Sequence, residues 1–198
     1  MTTSVTRTKP SARMDEILAC AAELFYEKGY HATTIEDVAR KVGMLKGSLY
    51  YYIRSKEDLL YELLLGIIVK GVDHASKAID GVADPTERLE KAVEAQIEHI
   101  IQNQTYVGLF LHEFDTLSGK RQKRIQEEMV KYQKMFVDAI RDGQKVGQFV
   151  DADPILLTDA ILGMTNWIYR WYPGTRAPSL DGVKKTFIAF IMSGIKQR

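Results

Sequence analysis

The chain has 198 residues, of which 45% are hydrophobic and 27% are charged, and its formal net charge is +1. This length suits one domain, or a small domain joined to a larger one, and the composition excludes a disordered or low-complexity chain. A single cysteine, Cys20, excludes an intrachain disulfide and a cysteine-based zinc site. The sequence has no apolar run of bilayer length and no apolar core of a secretory signal, which predicts a cytoplasmic protein without a membrane partner.

Basic charge is concentrated in the first third of the sequence. The stretch from Val38 to Lys56 contains no Asp or Glu. Its basic residues are Arg40, Lys41, Lys46, Arg54 and Lys56. A second basic cluster, Arg7, Lys9 and Arg13, precedes the first predicted helix as an arm, which either enters a DNA minor groove or serves as a solubilising tail. Local basic charge of this kind is typical of a nucleic-acid-binding surface.

Three helices are predicted within the first 56 residues. Residues 12 to 29 carry apolar side chains at helical spacing, and Gly29 ends that segment. Thr33 or Thr34 is expected to cap a second helix, since Glu36 and Asp37 stand three residues further on, as in a capping box. Gly43 ends the second helix, and a third helix is predicted over residues 46 to 53.

The remaining sequence predicts six further helices. They cover residues 56–80, 84–102, 105–117, 120–147, 154–172 and 179–195, several with an Asp or Ser at the cap position. No segment alternates as a strand does. We therefore expect an all-α fold of about nine helices, with a three-helix head over 1–56 and a helical body over 57–198. The segment 154–172 is apolar almost all round and must be covered on both sides.

The segment TTIEDVARKVGMLKGSLYYYI has the layout of a helix-turn-helix, in which the second helix presents its first side chains to the major groove. The stretch from about Met14 to Leu64 resembles the N-terminal domain of TetR-family regulators. The residues that carry the resemblance are Ile17, Ala21, Leu24, Phe25, Gly29, Tyr30, Thr33, Thr34, Val38, Ala39, Val42, Gly43, Lys46, Gly47, Leu49, Tyr50, Tyr51, Lys56, Leu59 and Leu60.

The resemblance implies a sequence-specific transcriptional regulator whose partner is double-stranded operator DNA. It implies phosphate or backbone contacts by Thr34, Lys46, Tyr51 and Lys56, and base contacts by Gly47, Ser48 and Tyr50.

Two features of this segment bear on the predicted DNA contacts. Tyr50, Tyr51 and Tyr52 cannot all face the groove from one short helix, so surface or packing roles remain open for them. Leu45 stands where the family commonly has a capping Ser or Thr, so water, main chain or a DNA phosphate must satisfy that helix start.

The resemblance also implies that residues 57–198, the body, form a ligand-binding and dimerisation domain. The last two helices would form a homodimer, and a small-molecule effector would bind within the body. The segment TNWIYRWYPG is similar to that of a subgroup that controls fatty-acid or steroid degradation and responds to acyl-CoA thioesters. The candidate ligand-binding residues are Phe110, Phe114, Trp167, Arg170 and Trp171. The alternative is that these aromatics form the dimer interface beside a solvated arginine. Gly66 and Gly71, in the helix expected to move, are flex points or close-packing positions.

The sequence does not favour an enzyme. His112, Glu113 and Asp115 stand close together, but no further ligand cluster lies nearby, so we expect no metal and no cofactor. No phosphate loop, dinucleotide fingerprint or Ser/His/Asp order occurs. The alternative function is a helical ligand-binding protein without operator binding. The matching head residues argue against it, namely Lys46, Gly47, Tyr50, Tyr51 and Lys56.

Overall fold

A computed structural model of the chain describes residues 10–172 and 178–197, and these form ten α-helices and one 3₁₀ turn. The helices are α1 (Pro10–Lys28), α2 (Ile35–Val42), α3 (Lys46–Leu49), α4 (Lys56–Ile79), α5 (Pro85–Gln102), α6 (Gln104–Glu113), α7 (Gly119–Lys145), α8 (Pro154–Asn166), α9 (Ile168–Trp171) and α10 (Leu180–Ile195), with the 3₁₀ turn at Phe114–Thr116. The all-α prediction is confirmed. The helix expected over 154–172 is divided at Trp167 into α8 and α9, and that division raises the count from nine to ten.

Side-chain caps mark the starts of α2, α4 and α5. Thr34 accepts a hydrogen bond from the N–H of Asp37, whose carboxylate bonds back to the N–H of Thr34, so these two residues form the capping box of α2. Ser55 and Asp58 form the same arrangement at α4, and Asp84 caps α5. Thr33, the other capping candidate, is buried, and its hydroxyl donates to the carbonyl of Gly29 at 2.8 Å. Local sequence therefore sets these boundaries.

Two apolar cores meet along α4. The head core combines α1, α2 and α3 with Leu60 and Leu64 of α4, and it also takes in Leu109 and Ile125 from the body. The body core begins further along α4 at Ile67 and extends through α5, α7, α8 and α10. One continuous helix thus contributes side chains to both cores.

The two glycines of α4 differ in their surroundings. A Cβ added at Gly71 would lie 3.0 Å from Nε2 of His99, whereas one added at Gly66 would meet no atom within 4 Å. Gly71 is therefore a close-packing position, where α4 approaches α5. Within 10–172 and 178–197, no helix is both long and apolar enough to cross a membrane.

Candidate DNA interface and ligand cavity

The turn between α2 and α3 depends on Gly43. Its backbone is left-handed, with φ of 73°, and the N–H of the following Met44 donates to the carbonyl of Ala39 at 2.8 Å. Val38 and Leu49 are fully buried, one from each helix. This packing fixes α3 against the head core and leaves Lys46, Gly47 and Ser48 exposed at its start. The arrangement has the geometry of a helix that presents its first turn to a groove.

Helix α3 is shorter than predicted. It ends at Leu49 instead of residue 53, and the chain continues in turns, in which the N–H of Tyr52 donates to the carbonyl of Leu49 at 2.9 Å. Leu45 occupies the cap position, is 80% exposed and makes no side-chain cap, as expected from its apolar side chain. The first N–H groups of α3 thus remain without a side-chain cap.

The three consecutive tyrosines have different surroundings. Tyr51 is 84% exposed and Tyr50 is 47% exposed, whereas Tyr52 is half-buried against the head core. The rings of Tyr51 and Tyr52 contact edge to face, with 5.3 Å between their centroids. Tyr50 and Tyr51 are therefore accessible to DNA, while Tyr52 packs.

Two acidic side chains of α2, Glu36 and Asp37, form ion pairs with Lys46 and Lys28. The ammonium of Lys46 lies 2.6 Å from Oε1 of Glu36, and this hydrogen bond raises the pKa of Lys46. The pKa of Asp37 is held well below its usual range, chiefly by a hydrogen bond from Lys28 and then by the N–H of Thr34. The pair of Lys46 and Glu36 is exposed, so a phosphate can displace Glu36 at little cost.

Lys56 occupies an unexpected position for a phosphate-binding side chain. Its ammonium donates to the carbonyls of Tyr30 at 2.8 Å, Thr33 at 2.9 Å and His31 at 3.3 Å. It also lies 4.2 Å from the centroid of the Tyr30 ring, and burial lowers its pKa. The side chain therefore anchors α4 to the turn between α1 and α2. A phosphate contact by Lys56 stays a prediction. Because the ammonium of Lys56 is occupied by carbonyls, the main-chain N–H of Lys56 at the start of α4 is the group that remains for such a contact.

We expect Lys56→Met to lower the free energy of unfolding by about 2 kcal/mol, because three carbonyls lose a charged donor and Tyr30 loses its cation contact. For a chain of this length the melting temperature should fall by roughly 4–8 °C, measured by calorimetry. Lys77→Met is the control, since Lys77 is exposed on the same helix and pairs only with Asp73. Equal melting temperatures for the two variants would contradict the anchoring role.

The basic arm is only partly described by the structure. Arg7 and Lys9 lie outside the described residues. Arg13, expected to belong to the arm that precedes the first helix, lies within α1, pairs with Glu16 and donates to the carbonyl of Val42 at 3.3 Å. The expectation for Arg13 was wrong, because α1 begins earlier than its apolar stripe.

A cavity of about 640 Å³ lies in the body between α4, α5, α6, α7 and α8. Most of its wall is apolar, and the apolar lining side chains are Ile67, Ile68, Ile100, Val107, Phe110, Leu111, Met129, Val130 and Leu162. The polar lining side chains are Gln96, His99, Gln126, Tyr132, Gln133, Asp159 and Asn166. This volume and this mixture are typical of a site for a small hydrophobic molecule.

The polar groups of the cavity wall were not singled out from the sequence. Tyr132 donates to Oε1 of Gln96, and Nε2 of Gln96 donates to Oδ1 of Asn166 at 2.8 Å. Burial lowers the pKa of His99 to about 4 and raises that of Tyr132. A signal existed in α5, because Gln96 and His99 interrupt the apolar face of that helix.

The predicted ligand residues divide between the cavity and the surface. Phe110 lines the cavity, and Phe114 stacks on it from the head side, with 5.7 Å between ring centroids. Trp167 and Arg170 are exposed and Trp171 stacks on Phe187, so these three residues do not line the cavity. The reason is the break at Trp167, which ends α8 and redirects the chain.

His112 and Glu113, the last two residues of α6, form hydrogen bonds with neighbouring elements. Nε2 of His112 lies 2.7 Å from the hydroxyl of Tyr169, and Glu113 accepts a hydrogen bond from Thr116 at 3.0 Å. Among the residues with described positions, no three His, Cys, Asp or Glu side chains are arranged to hold a metal ion. These contacts link α6 to α9 and the 3₁₀ turn.

Comparison with known proteins identifies both parts of the chain. Residues 17–63 match the family described as bacterial regulatory proteins, tetR family, and residues 82–195 match the tetracyclin repressor-like C-terminal domain. The HTH-type transcriptional repressor KstR2 of Mycolicibacterium smegmatis is 31% identical over 97% of this chain and 95% of its own.

Solved structures show the same similarity over nearly the whole chain. The ketosteroid transcriptional regulator KstR2 of Mycobacterium tuberculosis has a TM-score of 0.86 at 32% identity, covering 94% of this chain and 96% of its own. AibR, in complex with isovaleryl coenzyme A and operator DNA, has a TM-score of 0.80 at 26% identity, covering 92% and 99%. The chain therefore belongs to the TetR family of bacterial regulators and is a DNA-binding transcriptional regulator.

Proposed function

We propose that the protein is a homodimeric repressor that an acyl-CoA thioester, bound through its acyl part in the body cavity, releases from operator DNA. The observation that carries this proposal is the course of α4. Its middle lines the cavity with Ile67, Ile68 and Gly71, while Leu60 and Leu64 of the same helix pack in the head core.

A second connection reaches the start of α4 from the body. Arg121 of α7 pairs with Asp58, the carboxylate of the α4 capping box, and with Glu57 at 3.0 Å. Helix α7 also contributes Met129 and Tyr132 to the cavity wall. A ligand that binds one arrangement of α4 and α7 better than another therefore changes the position of the head.

The ligand class is proposed from the cavity and the relatives together. The wall is mostly apolar and contains no Lys or Arg among the described residues, so it suits an acyl or ring system and leaves a phosphate-bearing group outside. Among the relatives, AibR forms a complex with isovaleryl coenzyme A, and KstR2 is a ketosteroid transcriptional regulator. Arg170, exposed beside Trp167 and Trp171, is our candidate for the anionic part of the ligand.

A homodimer is proposed from the exposed apolar faces of α8 and α10. Leu156, Ala160, Gly163 and Trp167 are exposed at spacings of four, three and four residues, which places them on one face. Phe190 of α10 is 67% exposed in the single chain. Apolar surface of this kind, with small residues that permit close approach, is typical of a helical dimer interface. In the dimer, we propose that Thr34, Lys46, Gly47, Ser48, Tyr50, Tyr51 and Lys56 contact each half-site.

We expect acyl-CoA thioesters to lower the operator affinity of the protein at least tenfold, within the usual range of allosteric coupling. The matching free fatty acids should do so much less. The measurement is fluorescence anisotropy of a labelled duplex from the region upstream of the gene, titrated with thioesters and acids of equal chain length.

Arg170→Ala should raise the thioester concentration needed for release without changing DNA binding in its absence. Lys145→Ala is the matched control, because Lys145 is an exposed cation of the body that pairs with Asp142. Equal release by acids and thioesters, together with an unchanged Arg170→Ala response, would reject the CoA assignment.

A further inference from the structure

A chain of hydrogen bonds runs along the cavity wall from Tyr132 through Gln96 to Asn166. The hydroxyl of Tyr132 donates to Oε1 of Gln96, and the amide nitrogen of Gln96 donates to Oδ1 of Asn166 at 2.8 Å. Gln96 is 4% exposed and Tyr132 is also buried, so bulk water does not compete for these bonds. The chain ends on the amide nitrogen of Asn166, the last residue of α8.

That amide nitrogen is a surplus donor. A side-chain amide carries two N–H donors. Among the hydrogen bonds of residues 10–172 and 178–197, Asn166 takes part only through Oδ1. Its side chain lines the cavity beside Leu162 and Gly163. A molecule that fills the cavity must offer a hydrogen-bond acceptor to this group, since an unpaired buried donor is costly.

The charges around the cavity decide what kind of acceptor fits. The lining, as far as the structure describes it, contains no Lys or Arg, and its one carboxylate belongs to Asp159. Burial lowers the pKa of His99 to about 4, so its ring is neutral near pH 7. A buried carboxylate ligand would lose its hydration here without meeting a cation.

We propose that the Asn166 amide donates a hydrogen bond to a ligand carbonyl oxygen, while the described lining offers no cation to a carboxylate, so that the cavity prefers ketones, esters or thioesters to free carboxylates. This inference rests on the proposed function in one respect, since it takes the body cavity as the effector site. It adds Asn166 as the specificity-determining residue, held in place by Gln96 and Tyr132.

The test measures binding to the full-length protein without DNA. Equilibrium dialysis at pH 8 compares 2-dodecanone with dodecanoate, two probes of equal chain length. Wild-type protein should bind the ketone at least roughly tenfold more tightly. Asn166→Asp keeps the acceptor for Gln96 but removes the donor, and it should weaken ketone binding roughly tenfold. Gln126→Glu is the matched control, because it makes the same change elsewhere on the cavity wall and should alter ketone binding less than threefold.

A second variant guards against misfolding of the first. Asn166→Leu combined with Gln96→Met removes the chain of polar groups without adding charge, and it should also weaken ketone binding roughly tenfold. Failure of 2-dodecanone to bind, equal binding of the two probes to wild-type protein, or an unchanged ketone affinity in Asn166→Asp would each overturn the inference. Ketone binding that depends on Asn166, together with no operator release by acyl-CoA thioesters, would support the inference and reject the proposed function.

Discussion

We expect Lys46→Ala combined with Tyr50→Ala to lower operator affinity at least about 100-fold, since a base contact contributes about 1–3 kcal/mol and a phosphate contact adds to it. Lys46 is exposed at the start of α3, and Tyr50 is exposed directly after its end. Lys46 forms an exposed ion pair with Glu36 and Tyr50 is 47% exposed, so the free energy of unfolding should change by less than about 1 kcal/mol. The loss therefore reports the DNA interface and not the fold.

Anisotropy of a labelled upstream duplex at several salt concentrations measures this effect. The affinity of the wild-type protein should fall steeply with salt, and the slope of the double variant should be reduced by about two, because the dimer loses one Lys46 phosphate contact at each half-site. Lys145→Ala serves as the control, because it removes an exposed, paired lysine of the body. Unchanged binding by the double variant would contradict the assignment of these residues to the DNA interface. Absence of salt-sensitive binding by the wild-type protein would favour a ligand-binding protein without operator binding.

Disrupting the dimer should have an effect of at least the same size. Leu156→Glu combined with Phe190→Glu places carboxylates on two side chains that are each 67% exposed in the single chain. If α8 and α10 pair with a second copy, these charges are buried without partners and the protein becomes monomeric. A monomer contacts one half-site, so operator binding should weaken by about 100-fold or more.

Sedimentation velocity reports the association state, and the same anisotropy assay reports the DNA affinity. Val146→Glu is the matched control, since Val146 is similarly exposed but follows α7, away from the proposed interface. A double variant that sediments as a dimer would show that another surface holds the two copies together.

Much of the fold was predictable because helix boundaries are encoded locally. Thr34 with Asp37 and Ser55 with Asp58 satisfy N–H groups within four residues of sequence, and Gly43 supplies the left-handed turn. The head core follows from apolar spacing around Ile17. The missing cap at Leu45 was likewise readable from the sequence, because it depends on one side chain.

The cavity was not predictable, because its wall is assembled from five helices. Phe110, predicted to bind the ligand, lines the cavity, but Gln96, Tyr132 and Asn166 come together only when α5, α7 and α8 pack. The aromatic segment around Arg170 was predicted to bind the ligand from its composition and its resemblance to a subgroup of the family, and the break at Trp167 turns it away from the cavity.

The sequence by itself determined the helices, their caps and the helix-turn-helix, since these depend on short-range hydrogen bonds and apolar periodicity. Only the tertiary structure decided which polar groups face the cavity and that the ammonium of Lys56 is occupied by carbonyls 23 to 26 residues earlier in the chain. The physical reason is that a polar side chain takes its partners from whatever the packing of distant helices brings within about 3 Å, and no local pattern specifies that packing.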